Sequence, residues 1–310
     1  MSVLDTNAVL RLMPLPVSGL GVVLRPLTGA EDQLLLEAPD ENISLALALL
    51  NRLAQLVDNE ISDTNAPSDW SHLTVTDLDI LILRLRQMVF GNHVRADIPC
   101  RTAECGRRID ISFGINEYIA HYAPVPVRKS DSERSVEPAE ESGWFRLLSG
   151  RWDKADIGEE PSSDPYLNLP VELDSYSERN DEIFFRIPTA ADQLAAASSS
   201  DPAEVLAQRC IRPVNLAAWQ LREVEDIMES MAPSLSNDLL GICPECGAEV
   251  NVYFDVRHYC LRELKEHATF VYEDIDTLAR RYHWAEADIL ALPRNRRTIY
   301  AELARQEGDQ

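Results

Sequence analysis

Residues 105–118 read CGRRIDISFGINEY, and residues 246–259 read CGAEVNVYFDVRHY. Set side by side without a gap, Cys-Gly, Ile109/Val250, Ile111/Val252, Phe113/Phe254, Ile115/Val256 and Tyr118/Tyr259 coincide. Alternating apolar residues mark a half-buried strand and would arise in any such strand. The shared Cys-Gly start and the shared terminal Tyr do not follow from alternation. We therefore read the chain as a duplicated unit.

The likeness extends upstream. Residues 25–34 read RPLTGAEDQL and residues 186–194 read RIPTAADQL, which one deletion aligns. A β-like run precedes each (GVVLRPL and EIFFRIP), and Thr28 or Thr189 stands at a helix N-cap position. Helices are expected over 41–57 and 76–90 in the first copy, and over 202–211 and 216–231 in the second. The fold class is α+β: two pseudo-symmetric duplicated units bridged by a zinc-ribbon-like four-cysteine site, plus a C-terminal helical tail. The expected boundaries are 1–118 for the first unit, 119–183 for an insertion, 184–269 for the second unit and 270–310 for the tail.

The insertion carries 15 acidic against 7 basic residues, which predicts a solvated, partly disordered excursion over most of its length. Within it, GWFRLLSGRW (143–152) concentrates Trp144, Phe145 and Trp152. That cluster either anchors a partner or folds back onto the chain's own core. In the tail, Ile275, Leu278, Ala279 and Tyr282 fall at helical spacing, and Pro293 separates two further helical runs. Trp284 and the Arg294, Arg296, Arg297 cluster are candidate partner contacts; the plainer reading of such charges is a solvated face.

The chain has 310 residues, 52 acidic and 29 basic, for a formal charge of −23. Such a surface argues against a non-specific nucleic-acid binder. Its start lacks a secretory pattern, and no apolar run is long enough to span a bilayer, so neither export nor membrane insertion is expected. Six cysteines are too few for a disulfide scaffold, and paired cysteines in a reducing cytosol more often hold metal.

Four of them form two pairs. Cys243-Pro-Glu-Cys246-Gly puts two thiolates on one tight turn, and Cys100-Arg-Thr-Ala-Glu-Cys105-Gly is a looser counterpart. The expected site is one structural Zn2+ held by Cys100, Cys105, Cys243 and Cys246; an iron–sulfur cluster is the weaker alternative. Cys210 and Cys260 read as small buried hydrophobes. His258 lies near the second strand and could replace a ligand, but a packing role is preferred. No HExxH, GxSxG, Walker or GxGxxG pattern is present, so no catalytic residue is assigned and an enzyme is not expected.

Four pieces together resemble a known family: VVLRPLTGAEDQLLLEA near the start, the Cys-pair-and-strand unit, the CPECG knuckle, and YHWAEADILALPRNRRTIY at 282–300. They are similar to the T4-type baseplate proteins of contractile phage tails and phage-like contractile injection systems. The similarity covers roughly 20–118 and 184–305, and the tail motif is its most specific part. It implies a non-enzymatic component or assembly factor of the baseplate or hub. Its partners would be other baseplate, hub or spike proteins, with no nucleic acid. The expected location is the cytoplasm of the producing cell during assembly, or the assembled particle. The alternatives are a nucleic-acid-binding zinc-ribbon protein and an assembly chaperone absent from the mature particle.

Overall fold

The structure is a computed structural model, and it describes residues 10–11, 14–57, 69–102, 104–124, 135–148 and 182–308. The first half runs β1 (Leu10–Arg11), β2 (Val22–Leu24), α1 (Gly29–Glu37), α2 (Ile43–Leu53), β3 (Ala54–Leu56), α3 (Val75–Phe90), β4 (His93–Pro99), β5 (Arg108–Gly114) and α4 (Ile115–His121). Strands β6 (Ser135–Pro138) and β7 (Phe145–Leu148) follow. The second half runs β8 (Ile183–Phe185), α5 (Ala190–Ala197), α6 (Pro202–Cys210), β9 (Ile211–Arg212), α7 (Ala218–Met231), β10 (Asn237–Ile242), β11 (Glu249–Phe254) and α8 (Val256–Ala268). Helices α9 (Val271–Tyr282), α10 (Glu286–Leu290) and α11 (Arg294–Gly308) form the tail. Mixed helix and strand make this an α+β protein.

The two halves repeat the same local chemistry. In each, a three-residue strand leads to a helix whose third residue is acidic. The Glu31 carboxylate accepts from the Thr28 N–H and hydroxyl at 2.9 and 2.8 Å and from Arg25 Nη2 at 2.8 Å. The Asp192 carboxylate accepts from the Thr189 N–H and hydroxyl at 2.9 Å each and from Arg186 Nη2 at 2.7 Å. This corrects the sequence register: Glu31, not Asp32, stands opposite Asp192, and no deletion is needed. Asp32 is thereby free for a different task.

The second helix of each half runs straight into a strand that returns to the first. Arg25 N–H donates to Leu53 O at 3.0 Å, and Arg186 N–H donates to Cys210 O at 2.9 Å. Residues 54–56, expected as the end of a helix, are instead drawn into pairing with Val22–Leu24. Both halves contribute to the largest core, and Phe185, Ile211 and Val224 of the second half pack in a separate one with Leu147. Leu49, Leu50, Leu81 and Leu85 of the first pack with Val256, Leu261 and Leu264 of the second, all fully buried. Removing that much apolar area from water is the main stabilising term.

Asp192 supports a pH prediction. Burial opposes its charge, but hydrogen bonds from Arg186, the Thr189 N–H, Arg209 and the Thr189 hydroxyl outweigh it and hold the carboxyl well below the usual range. A depressed acid adds stability above its unfolded value of about 3.9, and that stability is lost as pH falls. Asp192→Asn should therefore lower the urea midpoint clearly at pH 7, and the gap to wild type should shrink steadily below about pH 4. A gap that does not change between pH 7 and pH 3 would contradict this role.

Residues 135–148, within the expected polar insertion, form two strands and the turn between them. Strands β6 and β7 join β8 and β9 in one antiparallel sheet, because Phe145, Arg146 and Leu147 pair with Phe185, Phe184 and Ile183. Trp144 is 6% exposed, with the Arg212 guanidinium 4.0 Å from its ring centroid. Phe145 stacks on Phe185 at 5.6 Å. Both aromatics thus fold back onto the chain's own core; Trp152 lies outside the described residues. Trp144→Ala should cost about 3 kcal/mol, read as a lower urea midpoint, since a buried ring and a cation–π contact are both lost. A change under about 0.5 kcal/mol would mean the ring is peripheral.

Candidate metal centre

Two antiparallel hairpins carry the cysteines. Strands β4 and β5 pair from His93↔Gly114 to Pro99↔Arg108, and β10 and β11 pair from Asn237↔Phe254 to Ile242↔Glu249. One further bond continues each ladder: Cys100 N–H donates to Arg107 O at 2.7 Å, and Cys243 N–H donates to Ala248 O at 2.8 Å. Each first cysteine is therefore the residue just past the last strand pair. Each reversal needs a left-handed residue, supplied by Gly106 at φ +54° and Gly247 at φ +71°. The shorter knuckle closes with a Gly247 N–H bond to Cys243 O, and the longer one with Cys105 and Gly106 N–H bonds to Thr102 O.

The hairpins face each other across the two halves. Phe113 and Phe254 meet edge to face at 5.3 Å. The two terminal tyrosines reach across reciprocally: Tyr118 OH donates to Leu235 O at 2.6 Å, and Tyr259 OH donates to Arg95 O at 3.3 Å. This crossing brings all four sulfurs within 4.8 Å of one another. Cys100 Sγ lies 3.8 Å from Cys246 Sγ, and Cys105 Sγ lies 3.9 Å from Cys243 Sγ. Cys100 and Cys243 are buried among Ile98, Ile109 and Val250, while Cys246 is exposed.

The spacing fits a metal ion. Four thiolates about 2.3 Å from a tetrahedral ion lie about 3.8 Å apart, which matches the two contacts that link the halves. The thiols also share their protons unevenly. Hydrogen bonds from the Thr102 hydroxyl and N–H, then from Cys246 and Cys243, bring Cys100 down to about 7. Cys105 is pushed up to about 11: the Arg107 N–H favours its thiolate, but desolvation and the three neighbouring sulfurs outweigh it. Such a cluster takes up metal by releasing protons, so its affinity falls as pH falls. The geometry thus assembles the ligand set expected from sequence. His258 stays out of it, 4.0 Å from Glu41.

The expected partner residues divide. Arg294 and Arg297 turn inward, which corrects their reading as a solvated face or exposed partner contacts. Arg294 Nε donates to Asp32 Oδ1 at 2.7 Å, Arg297 Nη2 donates to Asp32 Oδ2, and Arg297 Nε donates to Asp274 Oδ2 at 3.2 Å. Arg305 Nη2 donates to the other oxygen of Asp274 at 2.8 Å. Asp32 is 0% exposed, Asp274 and Arg297 each 2%. Arg294 N–H also donates to Leu27 O at 3.0 Å, fastening the start of α11 beside the start of α1. Trp284 is 37% exposed, stacked on Tyr282 and edge-on to Tyr300. Arg296 is exposed and makes no ion pair among the described residues. Sequence reasoning missed Asp32 and Asp274, because acidic residues are abundant and Asp32 lies 262 residues from Arg294.

Fold and site together define an α+β protein with a four-cysteine cluster between its halves. Comparison with protein-family models, with curated proteins and with solved structures finds no match to this chain. No helix among the described residues is long and apolar enough to cross a membrane.

Proposed function

We propose that the chain is a non-enzymatic structural or assembly component of the baseplate or hub of a contractile tail or injection particle. Two duplicated units are locked together in it by one structural zinc. The observation that carries the zinc link is the crossed cysteine set, with two sulfurs from each half within 4.8 Å. Four thiolates would complete a tetrahedral shell and leave no position for a reacting water, which is the chemistry of a structural site. The matched elbows at Thr28 and Thr189, with their Arg–carboxylate pairs, support the duplication.

The contractile-particle assignment rests on the resemblance of 22–38, the two cysteine units and 282–300 to baseplate proteins. The tail motif of that resemblance supplies the buried Arg294 and Arg297 contacts, so its specificity has a folding reason. A nucleic-acid role loses ground on the same point, because Arg294 and Arg297, two of the three clustered tail arginines that could have met phosphate, are engaged with Asp32 and Asp274. The test is to purify sheathed particles from the producing cell. A fixed copy number of this chain supports a permanent part, and its presence only in precursors supports a departing chaperone. Particles that lack the chain, and form normally when its gene is deleted, would overturn the assignment.

A further inference from the structure

The two hairpins differ on the face turned away from each other. In the first, that face carries Arg95, Asp97, Asp110 and Ser112, and Arg108 pairs with Asp97. In the second, Leu240, Ile242 and Tyr253 occupy it, at 81%, 70% and 63% exposure. The register confirms a single face, because Leu240 pairs with Asn251, Ile242 with Glu249 and Tyr253 with Asp238. Charge differs too. Residues 237–255 contain Asp238, Glu245, Glu249 and Asp255 but no Lys, Arg or His, whereas 93–114 contain four Arg and three acids. Two hairpins with the same frame and the same cysteine duty thus carry opposite outer surfaces, so the metal site does not require the apolar one.

Three large apolar side chains grouped on one strand face, with acids around them, are unfavourable in water and mark an interaction surface. We propose that the outer face of the β10–β11 hairpin docks a different protein, through an apolar patch flanked by Lys or Arg side chains. Charge complementarity selects this occupant. Leu240, Ile242 and Tyr253 would form the dry centre, and Asp238 and Glu249 would meet the partner's cations at the rim. A second copy of this chain would bring the same acids to the same rim, on a molecule of charge −23. The proposal does not rest on the contractile-particle reading: a partner from outside such particles would defeat that reading and leave this one standing.

The test begins with p-benzoylphenylalanine placed at Leu240 of the full-length chain in the producing cell, and at Asp110 as the control on the first hairpin. The expected result is a cross-link from position 240, absent from position 110, to one peptide of another protein with apolar residues flanked by at least two Lys or Arg. That protein is then purified and its binding to the chain measured. The double variant L240E/I242E should bind at least 100-fold more weakly, with unchanged metal content and thermal midpoint, since both side chains are already in water. Asp238→Lys should slow association about tenfold at low salt and flatten its salt dependence. A cross-link to a second copy of this chain, a peptide without basic residues, no cross-link above the Asp110 control, or wild-type binding by L240E/I242E would each overturn the proposal.

Discussion

Stripping the proposed zinc should lower the thermal midpoint by roughly 10 °C, and it should loosen both halves together. A metal present at about 1,000 times its dissociation constant adds about 4 kcal/mol, and each kcal/mol is worth about 2–4 °C in a chain of this size. Both hairpins contribute two sulfurs, so the effect cannot stay in one half. Cys243→Ser should reproduce it. Cys243 is 1% exposed and closes against Cys105 of the other half, so its loss leaves a three-thiolate site. Hydrogen exchange should rise in β4–β5 as well as β10–β11. Exchange confined to the second hairpin would mean that the site staples one unit rather than joining two.

The second large effect belongs to Asp32. Asp32→Ala should destabilise the protein by about 3–5 kcal/mol, because it leaves the Arg294 and Arg297 guanidinium groups buried without their shared carboxylate. The damage should begin at the tail. Exchange and proteolysis should increase over 271–305 first, since α11 is held to α1 through Asp32 and through the Arg294 N–H bond to Leu27 O. Gly29→Ala tests the same contact from the other side. A Cβ there would lie 2.8 Å from Arg297 Nη1 and 2.9 Å from Leu290 Cα, so the tail must shift, at about 1–3 kcal/mol. Arg296→Ala, an exposed change on the same turn, should stay within about 0.5 kcal/mol. If Asp32→Ala were as mild as Arg296→Ala, the tail would not be fastened by this network.

Sequence alone was enough to place the cysteine site, because its signals are local. Each knuckle announces itself by two cysteines, a glycine able to take positive φ, and a strand that alternates with period two. The helix starts at Thr28 and Thr189 were legible for the same reason. What escaped depends on partners distant along the chain. Residues 54–56 look helical because they continue a helix, and only pairing with Val22–Leu24 makes them a strand. Residues 135–148 sit in polar, acidic company, yet the edge of β8 recruits them into a sheet and Trp144 finds Arg212. Arg294 and Arg297 read as a surface cluster because no local pattern points to Asp32 or Asp274. The register slip at Glu31 has a local origin instead. Identity of letters favoured aligning Asp32 with Asp192, but the carboxylate that caps the elbow is set by its distance from Thr28.

On the proposed function, one metal ion held by two sulfurs from each half joins those halves. X-ray absorption on the purified chain, combined with metal counting, tests it most directly. The expected result is one zinc per chain, with a first shell of four sulfurs at about 2.3 Å and no nitrogen or oxygen. Two metal ions per chain, a shell containing a histidine nitrogen, or a folded chain that binds none would contradict it.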